Sequence, residues 1–142
     1  MQARDVMTCC DLWVCTEQTP AEEVARQMVR RGVSAIPVVD RAWRLVGIVT
    51  DRDISLRIVA EGRSPATPAA QIMSRPVHAV DPDADVEQIE SAMRRFHVRR
   101  LPVVNDDGRL MGFVSLADLA RHCYSPWVEH ELVGVLESAW GP

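Results

Sequence analysis

Two places in the sequence set a hydroxyl three residues ahead of a carboxylate, Thr50-x-x-Asp53 and Ser115-x-x-Asp118, each where a strand-like run gives way to a helix. Two chemistries fit this spacing. In one, the pair is a capping box: the hydroxyl accepts a backbone N–H and the acid at the third helical position accepts another. In the other, the same corner holds a ligand. An open helix start carries free N–H groups and partial positive charge, which suits a phosphate, and the hydroxyl can donate to it. The two oxygens of a carboxylate match the paired hydroxyls of a ribose. The spacing leaves both readings open.

Other reactive residue types are sparse. "RRFHVRR" gathers Arg94, Arg95, Arg99 and Arg100. Arg94 and Arg95 close a helix, where the dipole favours cations by about 0.3–1 kcal/mol. Arg99 and Arg100 lie just before a strand and suit a phosphate contact. Cys9, Cys10, Cys15 and Cys123 do not follow a zinc-site spacing. They are expected to be reduced thiols, mostly buried as small apolar groups. The four histidines, 78, 97, 122 and 130, are scattered. There is no Ser/His/Asp pattern, no H-E-x-x-H and no P-loop, so the expectation is a protein that is not an enzyme, with no metal and no bound cofactor.

The elements that position these residues come twice. Sliding the sequence by 65 residues aligns Val33–Ile54 with Val98–Leu119, with 9 of 22 positions identical, among them Pro37/Pro102, Gly47/Gly112 and Asp53/Asp118. "DVM" at 5–7 and "QIM" at 71–73 match one residue further apart, so the repeat takes in nearly the whole chain. Each copy opens with an extended segment (Leu12–Cys15; Val77–Val80). A helix follows, with apolar residues at 21, 24, 25 and 28 or at 86, 89, 93 and 96. Thr19-Pro20-Ala21-Glu22 reads as a capping-box start and Gly32 as a stop. Next comes a strand holding a proline, "SAIPVVD" or "RRLPVVN". Proline lacks an N–H, which suits an edge strand or a strand end. A turn, clearest in "NDDG" at 105–108, leads to a second strand and a last helix.

These boundaries give a first repeat over 1–59, a linker over 60–70, a second repeat over 71–123 and a helical tail over 124–142. A unit of about 60 residues is marginal alone, so two α/β units packed sheet to sheet with pseudo-twofold symmetry are expected. The 142 residues are 47% hydrophobic and 25% charged with a net charge of -4, which gives no reason to expect a nucleic-acid partner. No apolar run reaches the roughly 18–20 residues that span a bilayer, and "MQARDVMTCC" lacks the pattern of a signal peptide. A cytoplasmic location follows as an expectation.

The doubled β-α-β-β-α order, with "GVSAIPVV…LVGIVTDRDI" and "HVRRLPVVNDDGRLMGFVSLADL", resembles a CBS-domain pair, or Bateman module, of the small stand-alone bacterial type. The resemblance spans residues 4–122. It implies a regulatory module that binds an adenine-containing metabolite, of the AMP, ATP or S-adenosylmethionine class, in clefts that borrow from both repeats. Carried over by position, one cleft takes Thr8, Trp13, Val33 and Ser34 with Ser115 and Asp118. The other takes Ser74, Ala79, Val98 and Arg99 with Thr50 and Asp53. Arg100 matches a position that often carries a phosphate-binding arginine, whereas its first-repeat counterpart is Ala35. Trp13 departs from the family, which often has a small residue there; it can stack on a base or fill the pocket.

The tail keeps Trp127, Val128, Leu132, Val135, Leu136 and Trp140 in loose helical spacing, and its apolar face needs a cover. A homodimer is expected, in keeping with the resemblance. Two alternatives stand beside the nucleotide reading. One is a metal- or redox-responsive module using Cys9, Cys10 and Cys15, with His122 and Cys123. The other is a structural dimerisation adaptor that works through the tail.

Overall fold

The computed structural model describes residues 1–122; the tail expectation, Cys123 and His130 lie outside them. In chain order the elements are α1 (Ala3–Val6), β1 (Cys15–Thr16), α2 (Ala21–Arg31), β2 (Ala35–Val39), β3 (Leu45–Thr50), α3 (Asp51–Asp53), a wider π-type continuation of α3 (Ile54–Val59), a 3-10 turn (Ala69–Gln71), α4 (Val86–Phe96), β4 (Arg100–Val104), β5 (Leu110–Ser115) and α5 (Leu116–His122). The α/β class and the doubled order are those read from the sequence, except that the leading strand of the second copy is reduced to a single bridge at Val80.

These elements form two compact units, Trp13–Val77 and Met1–Leu12 with the chain from His78 onward. Each has its own apolar core. In the first, Val24 and Met28 of α2 meet Ile36 and Val38 of β2, Val49 of β3, and Ile72 and Met73. In the second, Ile89 and Met93 of α4 meet Leu101 and Val103 of β4, Val114 of β5, and Ala3 and Val6 of α1. α2 buries Ala21, Val24 and Met28 of its expected stripe and α4 buries Ile89 and Met93, while Ala25, Val86 and Phe96 stay half-buried.

Each unit thus takes a segment from ahead of the other repeat's helix, and the two borrowings match. In the second unit, Ala3 N–H donates to the Ala84 carbonyl (2.8 Å) and Arg4 N–H to that of Pro82 (3.0 Å). Thr8 then pairs antiparallel with Phe113 of β5, with bonds of 2.8 and 3.0 Å. In the first unit, Ala69 donates to Thr19 (2.8 Å) and Ala70 to Glu17 (2.9 Å), and Ser74 pairs with Ile48 of β3 (2.8 and 3.1 Å). The repeated glycines mark these crossings. A Cβ on Gly47 would stand 2.4 Å from Met73 Sδ, and one on Gly112 would stand 2.6 Å from the Thr8 carbonyl oxygen. At Gly112 it is a second backbone that lies this close to the strand, which only glycine allows; at Gly47 it is the Met73 side chain.

Several local expectations are corrected. Thr19 does not cap α2. Pro20 is the N-cap, and the first helical N–H groups reach backbone carbonyls instead, Ala21 to Thr67 (2.8 Å) and Glu22 to Pro65 (3.0 Å). The Thr19 hydroxyl turns back to accept the Thr16 N–H (3.0 Å). Stretch 60–70, read as a linker, therefore supplies part of a helix cap. The second copy caps locally, through Asp85 and Gln88.

The proline strand is not an edge in the first unit: the sheet order is β1-β2-β3, with Pro37 opposite Ile48. The second unit shows why this is tolerated. The Pro102 carbonyl accepts the Val80 N–H (3.0 Å), and Val104 N–H returns to Val80 (3.0 Å). A residue's N–H and C=O point to the same side of a strand. The missing N–H therefore faces the side where the parallel neighbour begins, and β5 loses no bond. That neighbour is also shorter than expected: β1 is only Cys15–Thr16, and in the second copy only Val80 bridges to Val103.

Finally, the thiols are not mostly buried. Cys15 is, but Cys9 and Cys10 are exposed.

Candidate ligand-binding site

The two strand-to-helix corners are built alike. β3 ends at Thr50 in extended backbone, and β5 ends at Ser115 directly before α5. Thr50 Oγ1 accepts the Asp53 N–H (3.1 Å), and Asp53 Oδ2 accepts the Thr50 N–H (2.9 Å). Ser115 Oγ accepts the Asp118 N–H (3.1 Å), while Asp118 Oδ2 accepts from the Ser115 N–H (2.8 Å) and hydroxyl (2.6 Å). The capping-box reading therefore holds at both corners.

The amides that the sequence offered to a phosphate are largely engaged. Asp51 N–H donates to the Ser34 carbonyl (2.9 Å), Arg52 N–H to Asp51 Oδ1 (2.8 Å), and Leu116 N–H to the Arg99 carbonyl (2.9 Å). Side chains are left to recognise a ligand.

Asp53 and Asp118 are both buried, at 7% and 6% exposure, and each keeps its second oxygen for a different use. Asp53 Oδ1 accepts the Ser74 hydroxyl (2.8 Å) and lies 3.9 Å from Arg57 Nε. Arg57 also donates through Nη1 to the carbonyls of Ile72 (2.8 Å) and Met73 (2.9 Å), which ties the crossing segment to the helix. A carboxylate oxygen can take two donors, so Oδ1 keeps acceptor capacity beside the Ser74 hydroxyl. Asp118 Oδ1 pairs with Arg121. Burial pushes the Asp118 carboxyl up, but the Ser115 hydroxyl and amide and the Arg121 guanidinium outweigh it and hold the group below its usual range.

The remaining site residues divide between the units. Trp13 and Val33 are half-buried against the core of the first, and exposed Ser34 lies at the foot of β2. Trp13 therefore packs on the core of its own unit. Val98 packs on the core of the second unit, and Ala79 is half-buried. Thr8 is exposed and held to β5 through its backbone. Arg99 and Arg100 are exposed, and Arg100 faces Ser115 in the β4–β5 register, within the field of Asp118.

The three-cysteine metal site is not formed. Cys15 is sealed in a core, and no cluster of three or more metal-ligating side chains occurs among the described residues.

The CBS domain pattern matches this sequence twice, over residues 3–60 and 69–125. The chain belongs to the CBS domain family. The CBS domain-containing protein YhcV of Bacillus subtilis is 40% identical over 117 residues, 82% of this chain and 81% of the relative. Hypoxic response protein 1 of Mycobacterium tuberculosis is 33% identical over 141 residues, 99% of this chain and 94% of the relative. Among solved structures, hypoxic response protein I with two coordinated zinc ions matches with a TM-score of 0.76 at 32% identity, covering 86% of this chain and 98% of that one. CBSX2 in complex with AMP matches with a TM-score of 0.74 at 25% identity, covering 86% and 95%.

In this CBS pair the sequence reading missed Arg57 and Arg121. Both follow their aspartates by one helical turn, at i+4 and i+3. That spacing was the available signal. It went unread because neither arginine lies in the aligned stretch that defined the repeat.

Proposed function

We propose that this protein is a regulatory ligand-sensing module that binds an adenine-containing metabolite of the AMP, ATP or S-adenosylmethionine class and carries out no chemical step of its own. The observation that carries this reading is Asp53: a buried carboxylate held by Thr50 and Ser74, with acceptor capacity left for a ribose hydroxyl. Family membership supports it, as does the AMP complex of CBSX2, a solved relative of the same fold. Thr50, Asp53, Ser74, Ala79, Val98, Arg99 and Arg100 are the contributors to one site, with the arginines toward phosphate. Thr8, Trp13, Val33, Ser34, Ser115 and Asp118 are those of the other. Only the second repeat carries the arginine pair, so phosphate-bearing ligands favour the first set.

The module works as a homodimer in the cytoplasm, and its ligand acts by binding one arrangement of that dimer better than another. Among the described residues no helix is long and apolar enough to cross a membrane.

Calorimetric titration with AMP, ADP, ATP and S-adenosylmethionine tests the proposal, with sedimentation measured in parallel. At least one ligand is expected to bind, and Asp53→Ala is expected to weaken it. Absence of heat for all of them at millimolar concentration, or unchanged binding in both Asp53→Ala and Asp118→Ala, sinks the reading.

A further inference from the structure

Cys9 and Cys10 follow directly on Thr8, which is fastened to β5. Both thiols are exposed, and their sulfurs lie 3.9 Å apart. Adjacent side chains in an extended chain point to opposite faces, so this convergence is a local departure. It coincides with a turn in which Asp11 takes a left-handed φ of 53°.

Two chemistries compete for a converged pair of thiols, and distance separates them. A disulfide needs about 2.05 Å between sulfurs and Cα atoms at least about 4.4 Å apart. Neighbours across a trans peptide sit at about 3.8 Å. A disulfide here would therefore have to pull the sulfurs together against an unfavourable backbone. A tetrahedral ion with metal–sulfur bonds of about 2.3 Å spans two sulfurs about 3.8 Å apart. That is the separation already present.

We propose that Cys9 and Cys10 form a two-sulfur chelate for a thiophilic divalent cation. The two thiols lose two protons, two metal–sulfur bonds form, and two waters leave the ion. Its other coordination positions stay open to water or to an external thiol. Cys15, buried in the other compact unit, takes no part.

The reduced, metal-free protein is titrated with cadmium chloride alone, following the sulfur-to-cadmium charge-transfer band and the protons released. About one ion per chain and about two protons per ion are expected. Cys9→Ser and Cys10→Ser should each weaken binding at least about tenfold, the lower end of what losing even a supporting group costs a metal site. Both positions are exposed, so the variants keep the fold. Absence of the band, or a band that survives either substitution, overturns the proposal. Loss of the band in Cys123→Ser assigns the ion to other thiols and overturns it too. The proposal is independent of nucleotide binding and stands or falls separately.

Discussion

Gly112→Ala probes how the borrowed N-terminal segment is held. The backbone at Gly112 lies outside the left-handed region, so alanine fits its conformation. The difficulty is space. The new Cβ would meet the Thr8 carbonyl oxygen at 2.6 Å and Met7 Sδ at 3.0 Å. A carbonyl cannot rotate away, and this one accepts the Phe113 N–H at 3.0 Å. Relief requires moving the segment, at about 1–3 kcal/mol for overpacking and about 0.5–1.5 kcal/mol for a weakened hydrogen bond. The smaller entropy of an unfolded alanine offsets about 0.4–1 kcal/mol. The net loss is about 2 kcal/mol.

Gly47→Ala is the internal control. Its Cβ would meet mainly the Met73 side chain, Sδ at 2.4 Å and Cγ at 2.9 Å, and methionine can change rotamer. The expected loss is about 1 kcal/mol or less. Urea unfolding followed by circular dichroism reads the difference as a midpoint shift of about 0.5–1 M. Equal losses, or a larger loss for Gly47→Ala, refute the reasoning that a backbone contact fixes the segment at β5.

Asp118→Asn should lower stability at neutral pH by removing a carboxylate that is held below its ordinary value of 3.8. Because the folded state depresses this group, its contribution is complete above the unfolded value and is lost as pH falls through the folded one. The gap between wild type and variant in thermal melts should therefore close on acidification below about pH 3.8 and stay constant near neutrality. Arg57→Ala leaves the Ile72 and Met73 carbonyls without their guanidinium donor and should cost about 1.5–3 kcal/mol. Hydrogen exchange should then speed up at the Ser74 and Ile48 amides, and unchanged protection there counts against the tie. Alkylation followed by mass spectrometry should label Cys9 and Cys10 in the native protein. It should reach Cys15, whose thiol burial pushes up to about 12, only on unfolding.

The repeat and the two corners were legible because their information is local. A carboxylate three residues after a hydroxyl makes a capping box wherever a helix starts, and both corners make it. Thr19 carried the same local signal and misled, because carbonyls of Pro65 and Thr67, more than forty positions away, reached the α2 amides first. Pro37 misled for a related reason: whether a strand lies at an edge depends on where its neighbour begins. The cysteines followed the default for small apolar residues, and the segment holding Cys9 and Cys10 stays at the surface.

The sequence by itself determined the class, the doubling, the helix faces and the identity of the corner residues. Apolar periodicity, turn residues and capping spacings act over a few positions, and each can be read where it stands. The tertiary structure decided what no spacing encodes. It set which repeat each leading segment serves, which oxygen of Asp53 keeps spare capacity, and that Arg57 and Ser74 meet at that carboxylate. Those outcomes rest on contacts between residues distant in the chain. Burial is shared among such residues, so no one of them specifies its partner alone.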